Sequence, residues 1–581
     1  MNKNIRLLFV AAACLFLLVG FKGKLFCQLN KSIFAPQNKN AVSFTSRDTA
    51  LQHLYDLADK KAADNIREFS PRYKVLVEGG EYPFVWVETQ PMGGVMYAKR
   101  NLEVAYNNIV IFLNHQATTG RIPGMIIPMN NNIWALTDLV KADDDYLGLF
   151  SETLQGFFVP GPALELYYLL NKDTAYLQLL YRAFKAYDNY LWKYRDSDGD
   201  GCLEAWSQTD SGEDFLIRYE YAPFVWPFNY PPVKGKIPED SNFIKKYWPP
   251  ADAAHYTHDK NPMPVESIDI MGYSYSCRDA LAKISNIQKN GKEKYWRNGA
   301  DKVKQKMKDY LWLPTKNAYF YRNKFNEIIP SLTHNNLRAM YFGTMTQNMA
   351  DGFIKDHLLN PAEFWTTMPL PSIAANDPYF RNISFNNWSG QPEGLTYQRA
   401  IGALENYGHL AEITLIGKKL LNKISESKIF TQQFDPFTGA QNGKDGYGPT
   451  ILSVLEYYAR MYGVYPKNDT IHFNGLSADQ PYSYTQQLDK NCYKLVQENG
   501  LITGYLNGAL LFKSTAGIKL MTDMRGNILG IAGIDTIAKP IKLEINKKIY
   551  KGMIQPNGFY KIKDGKIQLI KQVPFNYPYQ Q

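Results

Sequence analysis

From residue 47 to residue 465 apolar positions recur every three to four residues, the spacing of helices that bury one face. Residues 47–69 carry Leu51, Leu54, Leu57, Ala58 and Ala62 on one stripe, and residues 93–115 carry Val95, Ala98, Leu102, Ala105, Ile109 and Phe112. Residues 160–170 and 173–194 flank Asn171-Lys172 and predict a helical hairpin; 266–290 and 291–311 predict a second. Later helices fall within 392–424 and 449–462. Antiparallel helix pairs on short loops suit a bundle or an α/α toroid. The connections 221–261 and 365–390 are long, aromatic and Pro-rich. Connections of that length in a compact fold are usually functional.

After Pro466 the period drops to two. Thr470-Ile471-His472-Phe473, Leu510-Leu511-Phe512, Lys519-Leu520-Met521 and Lys542-Leu543-Glu544-Ile545 are short runs separated by turn residues such as Asp523-Met524-Arg525-Gly526-Asn527. They predict a β-sandwich over 466–581, behind a helical domain over 28–465. No internal repeat interrupts either part.

The N-terminus reads as a targeting segment over 1–27. Met1-Asn2-Lys3-Asn4-Ile5-Arg6 is basic, and the apolar run Leu7 to Gly20 is short for a membrane span. Export is expected, to the periplasm, the medium or the outer surface; an uncleaved anchor is the second reading. Neither Cys14 nor Cys27 stands in a good lipoprotein box. The other cysteines, Cys202, Cys277 and Cys492, are too few for a disulfide framework, although a Cys202–Cys277 bridge stays open.

The chain has 581 residues and a net charge of +10. The positive charge is spread out, without a run like a nucleic-acid arm. Aromatic residues make up 14%, which suits stacking on sugars and suits a large core equally well. There is no HExxH, GxSxG or P-loop, which argues against metalloprotease, α/β-hydrolase and nucleotide-dependent chemistry.

The densest chemistry lies between Asp196 and Asp214, where 19 residues hold seven carboxylates. Asp196, Asp198, Asp200, the carbonyl of Cys202 and Glu204 alternate around Gly201, as in a calcium loop. The twelfth position is Ser207 rather than Glu, so this is not an EF-hand, and another carboxylate has to complete the shell. Asp210-Ser211-Gly212-Glu213-Asp214 reads first as a helix cap and second as a catalytic carboxylate in a cleft. His334 and His409 stand alone and read as structural. Trp206, Trp226, Trp365 and Trp388 are candidates for sugar stacking or for the core.

In order along the chain, these segments resemble the (α/α)6 domain of glycoside hydrolase family 63 and its mannosylglycerate-hydrolase-like relatives. Phe84-Val85-Trp86-Val87-Glu88-Thr89 is similar to the early Trp-Asp substrate segment, with Val87 at the usual Asp and Glu88 the nearest carboxylate. Asp196 to Glu204 is similar to the calcium loop. Val265-Glu266-Ser267-Ile268-Asp269 is similar to the helix start whose Glu joins the calcium shell, which makes Glu266 the implied last ligand. Asp210 to Asp214 is similar to the run whose last Asp is the general acid, which maps that role onto Asp214. Asn387-Trp388-Ser389-Gly390-Gln391-Pro392-Glu393 resembles the sugar-binding turn, and Phe434-Asp435-Pro436-Phe437-Thr438-Gly439 the segment near the barrel's end.

The resemblance spans about residues 80–463. It implies an inverting hydrolase of an α-linked glucoside, mannoside or related oligosaccharide, with Ca2+ as cofactor and a carbohydrate as partner. One departure matters. The family's general base, two residues before the Phe434 position, is here Gln432, and a neutral amide cannot take a proton from water. Glu393 is the first replacement, Glu88 the second; a protein that binds glycans without cleaving them is the third reading. Trp86, Glu88, Trp388, Gln391 and Gln432 are the implied sugar contacts. A polysaccharide lyase on a similar toroid lacks its usual Tyr, His and Arg cluster here.

Overall fold

The computed structural model describes residues 40–128, 139–141, 147–150, 153–214, 264–384 and 386–579. Residues 1–27, read as a targeting segment, and the 221–261 connection, with Trp226, lie outside them. No helix among the described residues is long and apolar enough to cross a membrane.

The N-terminal part is mainly helical. In chain order its helices are α1 (Thr49–Asp64), α2 (Gln90–Tyr97), α3 (Leu102–Asn114), α4 (Pro160–Leu169), α5 (Thr174–Tyr194), α6 (Ile268–Gln288), α7 (Glu293–Tyr310), α8 (Asn335–Phe342), α9 (Gln347–Phe353), α10 (Gly394–Tyr407), α11 (Leu410–Ser427) and α12 (Gly448–Tyr462). Side-chain caps start several of them. Asp48 accepts from the Ala50 and Leu51 amides, Asn101 from Val104, Asp173 from Tyr176 and Ser267 from Ile270.

The helix expected over 93–115 is two helices. Asn101 caps α3, so the apolar stripe runs across a break that periodicity alone does not register. The stretch 392–424 likewise divides at Gly408, whose φ of +82° ends α10. The short helices α8 and α9 had no separate signal in the sequence.

Six of these helices touch one another in a closed cycle: α2 with α4, α4 with α6, α6 with α8, α8 with α10, α10 with α12, and α12 with α2. The other six pack against this cycle from outside, as α1 does on α12 and α3 on α2. The amino-terminal ends of the inner helices gather the site, as shown below.

The C-terminal part is antiparallel sheet. One sheet has seven strands and another six, and they pack on each other through contacts such as Phe473 on Tyr493 and Phe512. Tyr482–Leu488 reads Tyr-Ser-Tyr-Thr-Gln-Gln-Leu with alternate residues buried, the pattern of a sheet packed on one face. Sequence and structure differ at one boundary. Ala41–Ser46, read as part of the helical domain, is an edge strand of the seven-stranded sheet, with Phe44 opposite Tyr484. Phe44 packs on Tyr55 and Tyr458, which ties that sheet to α1 and α12. Cys202 and Cys277 are both buried and free, so they form no bridge.

Candidate active site and ion loop

Asp196 to Asp214 divides into three jobs. In the first, Asp196, Asp198 and Asp200 bring carboxylate oxygens within 4.8 Å of one another, and so do Asp198, Glu204 and Glu266. Gly199 and Gly201 sit at φ +72° and +85°, a conformation that lets the loop fold its carboxylates inward. Backbone amides steady those carboxylates: Gly201 donates to Asp196 (3.2 Å), Asp200 to Asp198 (3.1 Å) and Cys202 to Asp200 (2.7 Å). A short antiparallel pairing places Glu266 opposite Glu204. Glu266 Oε2 is buried without a hydrogen-bond partner, and burial, then the Asp200 charge, pushes its carboxyl up to about 8. A buried orphan oxygen among converging carboxylates fits a hard cation. Lys306 reaches Asp200 Oδ2 at 3.2 Å from the solvent side.

The second job belongs to Asp210 and Glu213, which are structural. Asp210 accepts from the amides of Leu154, Trp206 and Ser207 and pairs with Arg195 at 2.7 Å, a fuller version of the expected cap. Glu213 is fully buried, held by His334 Nε2 (3.0 Å) and Asn335 Nδ2 (2.8 Å). His334 also meets Thr396 at 3.0 Å, and His409 is locked between Glu412 and Asp351, so both histidines are structural as expected.

The third job is Asp214. Asn386 Nδ2 donates to its Oδ2 at 2.6 Å. Asn386 Oδ1 accepts from Gln432 Nε2 (2.7 Å) and Trp388 Nε1 (3.2 Å), and Gln432 Oε1 accepts from Tyr82 Oη (2.9 Å). The amide at the expected base position thus connects to Asp214 through one asparagine. Tyr82, Asn386, Gln432 and Tyr447 line a small cavity of about 90 Å3 there.

Three more carboxylates surround Asp214, each at the start of an inner helix. Glu88 precedes α2, Glu393 stands at the N-cap of α10, and the Glu78 carbonyl receives the Gly448 amide at the start of α12. Helix amino-termini favour negative charge. Enclosure opposes it more strongly, so all three carboxyls are raised. Burial drives each shift, and Asp214 adds to each. Glu88 reaches about 8 despite Arg399, whose Nη2 lies 3.4 Å from its Oε2. Glu88 fills the space beside Gly212, where a Cβ would collide with its Oε2. Glu78 accepts from Tyr447 Oη at 2.8 Å.

Glu393, the first base candidate, is fully enclosed, and neither oxygen has a hydrogen-bond partner among the described residues. The neighbouring Gln433 amide donates instead to the Asn387 carbonyl at 3.0 Å.

The remaining expected contacts are spread around the wall. Trp388 is 1% exposed, with its ring against His334 and Arg338; it offers the site its Nε1 bond to Asn386 rather than an open stacking face. Trp86 is buried in a short strand, and its amide donates to Gln90. Gln391 bridges Asn382 (2.8 Å) and Asn442 (2.9 Å). Trp206 is buried beside Arg195 and donates to Glu204. Sequence reasoning missed Glu78, Tyr82, Asn386, Arg399 and Tyr447. Glu78 had a signal, as a lone carboxylate between the apolar run Val75-Leu76-Val77 and Gly79-Gly80. Asn386 adjoins the quoted Asn387-Trp388 motif.

Carboxylates gathered in a pocket are the equipment that glycoside hydrolysis uses. Residues 88–450 match the mannosylglycerate hydrolase MGH1-like glycoside hydrolase domain, and the chain belongs to that family. Two solved structures of the GH63 mannosylglycerate hydrolase from Thermus thermophilus share the fold. The complex with Tris has a TM-score of 0.54 at 17% identity, covering 70% of this chain and 100% of that one. The complex with glucose has 0.51 at 16%, covering 70% and 99%. A structure described as a sialidase has 0.58 at 13% identity, covering 84% of this chain and 42% of its own. No curated protein matches the sequence.

Proposed function

We propose that this glycosidase inverts the anomeric centre of an α-linked glucoside, mannoside or related oligosaccharide. The closed cycle of inner helices with its outer partners supports an (α/α)6 barrel, and the two packed sheets support a β-sandwich behind it. Asp214 is the general acid that protonates the leaving oxygen. The observation that carries this reading is its place: it is held by Asn386 and is electrostatically coupled to Glu78, Glu88 and Glu393.

An inverting enzyme needs a second carboxylate, ionised, across the sugar from the acid, with a water between. Glu393 is the more enclosed candidate: neither oxygen meets solvent, and burial raises its carboxyl as it does that of Glu78. Glu88 is engaged by Arg399. Burial raises the Glu78 carboxyl as well, so its position, and not its protonation, selects it as the base. Of the neighbouring carboxylates it acts most strongly on Tyr82, and Tyr82 holds Gln432. It therefore stands on the side where the family's base belongs. Gln432 and Tyr82 then orient the water that Glu78 deprotonates. A fold relative solved in complex with glucose supports a hexose as the kind of ligand.

Calcium is proposed at Asp196, Asp198, Asp200, Glu204, Glu266 and the Cys202 carbonyl. When bound, the ion neutralises the loop that leads to Asp214. Export from the cell is proposed from the N-terminal pattern.

Proton NMR of the first sugar released from aryl α-glucosides, α-mannosides and α-linked disaccharides tests the reading. The β-anomer from wild type, and none from Asp214→Asn, is expected. Release of the α-anomer would overturn inversion. Binding of sugar without turnover would favour the glycan-binding alternative, for which Gln432 speaks.

A further inference from the structure

The inner ring is hollow at the end away from Asp214. A second cavity, of about 760 Å3, opens there and is lined by all six inner helices. That volume lies in the range of small-molecule sites. Met96 of α2, Glu165 of α4, Tyr275 of α6, Tyr341 of α8, Gln398 of α10 and Arg460 of α12 form its walls. None of these residues has a part in the site around Asp214.

Two acceptors in the cavity lack donors. Gln398 is fully buried; its Nε2 lies 3.3 Å from Met96 Sδ, and its Oε1 has no hydrogen-bond partner among the described residues. Glu165 is half-buried on the cavity wall, so water also reaches it; it makes no hydrogen bond or ion pair with the described residues, and burial raises its carboxyl above the ordinary range. An unsatisfied buried acceptor is costly, so it calls for a donor from water or from a ligand.

The cations nearby are already engaged. Arg460 and Lys467 bond Glu405, and Lys99 bonds Glu456. Lys283 pairs with Asp279, and Lys304 donates to the carbonyls of Gly343 and Met345. The lining residues Met96, Tyr341, Tyr407 and Arg460 stand near the carboxyl ends of their helices, where the backbone presents partial negative charge. The tyrosine rings add faces on which an aliphatic ring can pack.

We infer that this lower mouth is a second ligand site, built for a hydrogen-bond-donating, amine-bearing polyol of the amino-sugar class. The ammonium would pair with Glu165 and a hydroxyl would donate to Gln398 Oε1. The Glu165 carboxyl favours the ammonium over an anionic group at that point of the wall.

Calorimetric titration with glucosamine, glucose and gluconate tests the site. Gly161→Trp is the blocking variant, because Gly161 lines the cavity and a Cβ there meets only Tyr341 Oη, at 3.7 Å. The expected result is that wild type binds glucosamine at one site more per chain than Gly161→Trp does, while both hydrolyse glycosides alike. Glu165→Gln, which keeps the shape, should weaken glucosamine at least tenfold more than glucose. Identical glucosamine isotherms for wild type and both variants would overturn the inference. So would gluconate binding at that site as tightly as glucosamine. Failure of the catalytic reading would leave these isotherms unchanged, so the two tests are separable.

Discussion

The molecule has two carboxylate clusters, the ion loop and the pocket around Asp214, and they solve the same electrostatic problem differently. In the ion loop, Asp196, Asp198 and Asp200 are partly open to water and receive backbone amides, and burial pushes the Glu266 carboxyl up to about 8. In the pocket, Glu78, Glu88 and Glu393 are enclosed, and all three hold protons more tightly than ordinary carboxylates. Geometry explains the contrast. Carboxylates converging on one point at a surface invite a cation, whereas carboxylates lining a closed wall take protons. A catalytic acid benefits from the second environment, because its neighbours oppose a further negative charge.

The sharpest way to break the comparison is Asp214→Asn. If the pocket is the proton-handling cluster, kcat should fall by about 10^3-fold or more with folding intact. A variant that retained wild-type turnover would end the assignment.

Glu78→Gln should cost about 10^2–10^4-fold in kcat, the usual range for a general base. Glu393→Gln should stay within about tenfold, since it keeps the shape of a side chain whose oxygens are enclosed away from solvent. The opposite ranking would return the base to Glu393.

The ion loop should respond to metal instead. Saturating calcium at about 100 times its dissociation constant would add roughly 2.7 kcal/mol of stability. Differential scanning calorimetry should show a rise of a few degrees, reversed by chelator and absent in Glu266→Gln. A melting temperature indifferent to both calcium and chelator would refute the site.

The smallest effect concerns Glu88. Its folded-state value is raised to about 8, so its favourable contribution is complete below its unfolded value and is lost as pH rises through 8. Glu88→Gln removes that loss. The variant should gain a few degrees on wild type between pH 5 and pH 9 in thermal unfolding. Parallel melting curves at all pH values would mean that Arg399 compensates the charge fully.

Much of this was legible in the sequence because it depends on local pattern. Helical periodicity, the change of period after Pro466, and the alternating oxygens around Gly201 all need only neighbours along the chain. The likeness of Asp214 to a known acid needed only five consecutive residues. What stayed hidden is what tertiary pairing decides. Glu78 lies 136 residues before Asp214. Its importance comes from Tyr447, which approaches from the far end of the helical part. Trp388 had the right motif, yet packing against His334 and Arg338 turned its ring into the wall. Glu393 carried the right residue type, but its enclosure at the N-cap of α10, which raises its carboxyl, is decided by tertiary packing.

The edge strand Ala41–Ser46 has a consequence in time. It leaves the ribosome early, but its partner strand, Tyr482–Leu488, follows 438 residues later in the contact of Thr45 with Ser483. At 5–20 residues per second, its pairing edge waits roughly 20–90 s for a mate. An unpaired strand edge is a template for the wrong neighbour. Correct assembly therefore depends on keeping this edge unpartnered until the Tyr482–Leu488 strand has been made.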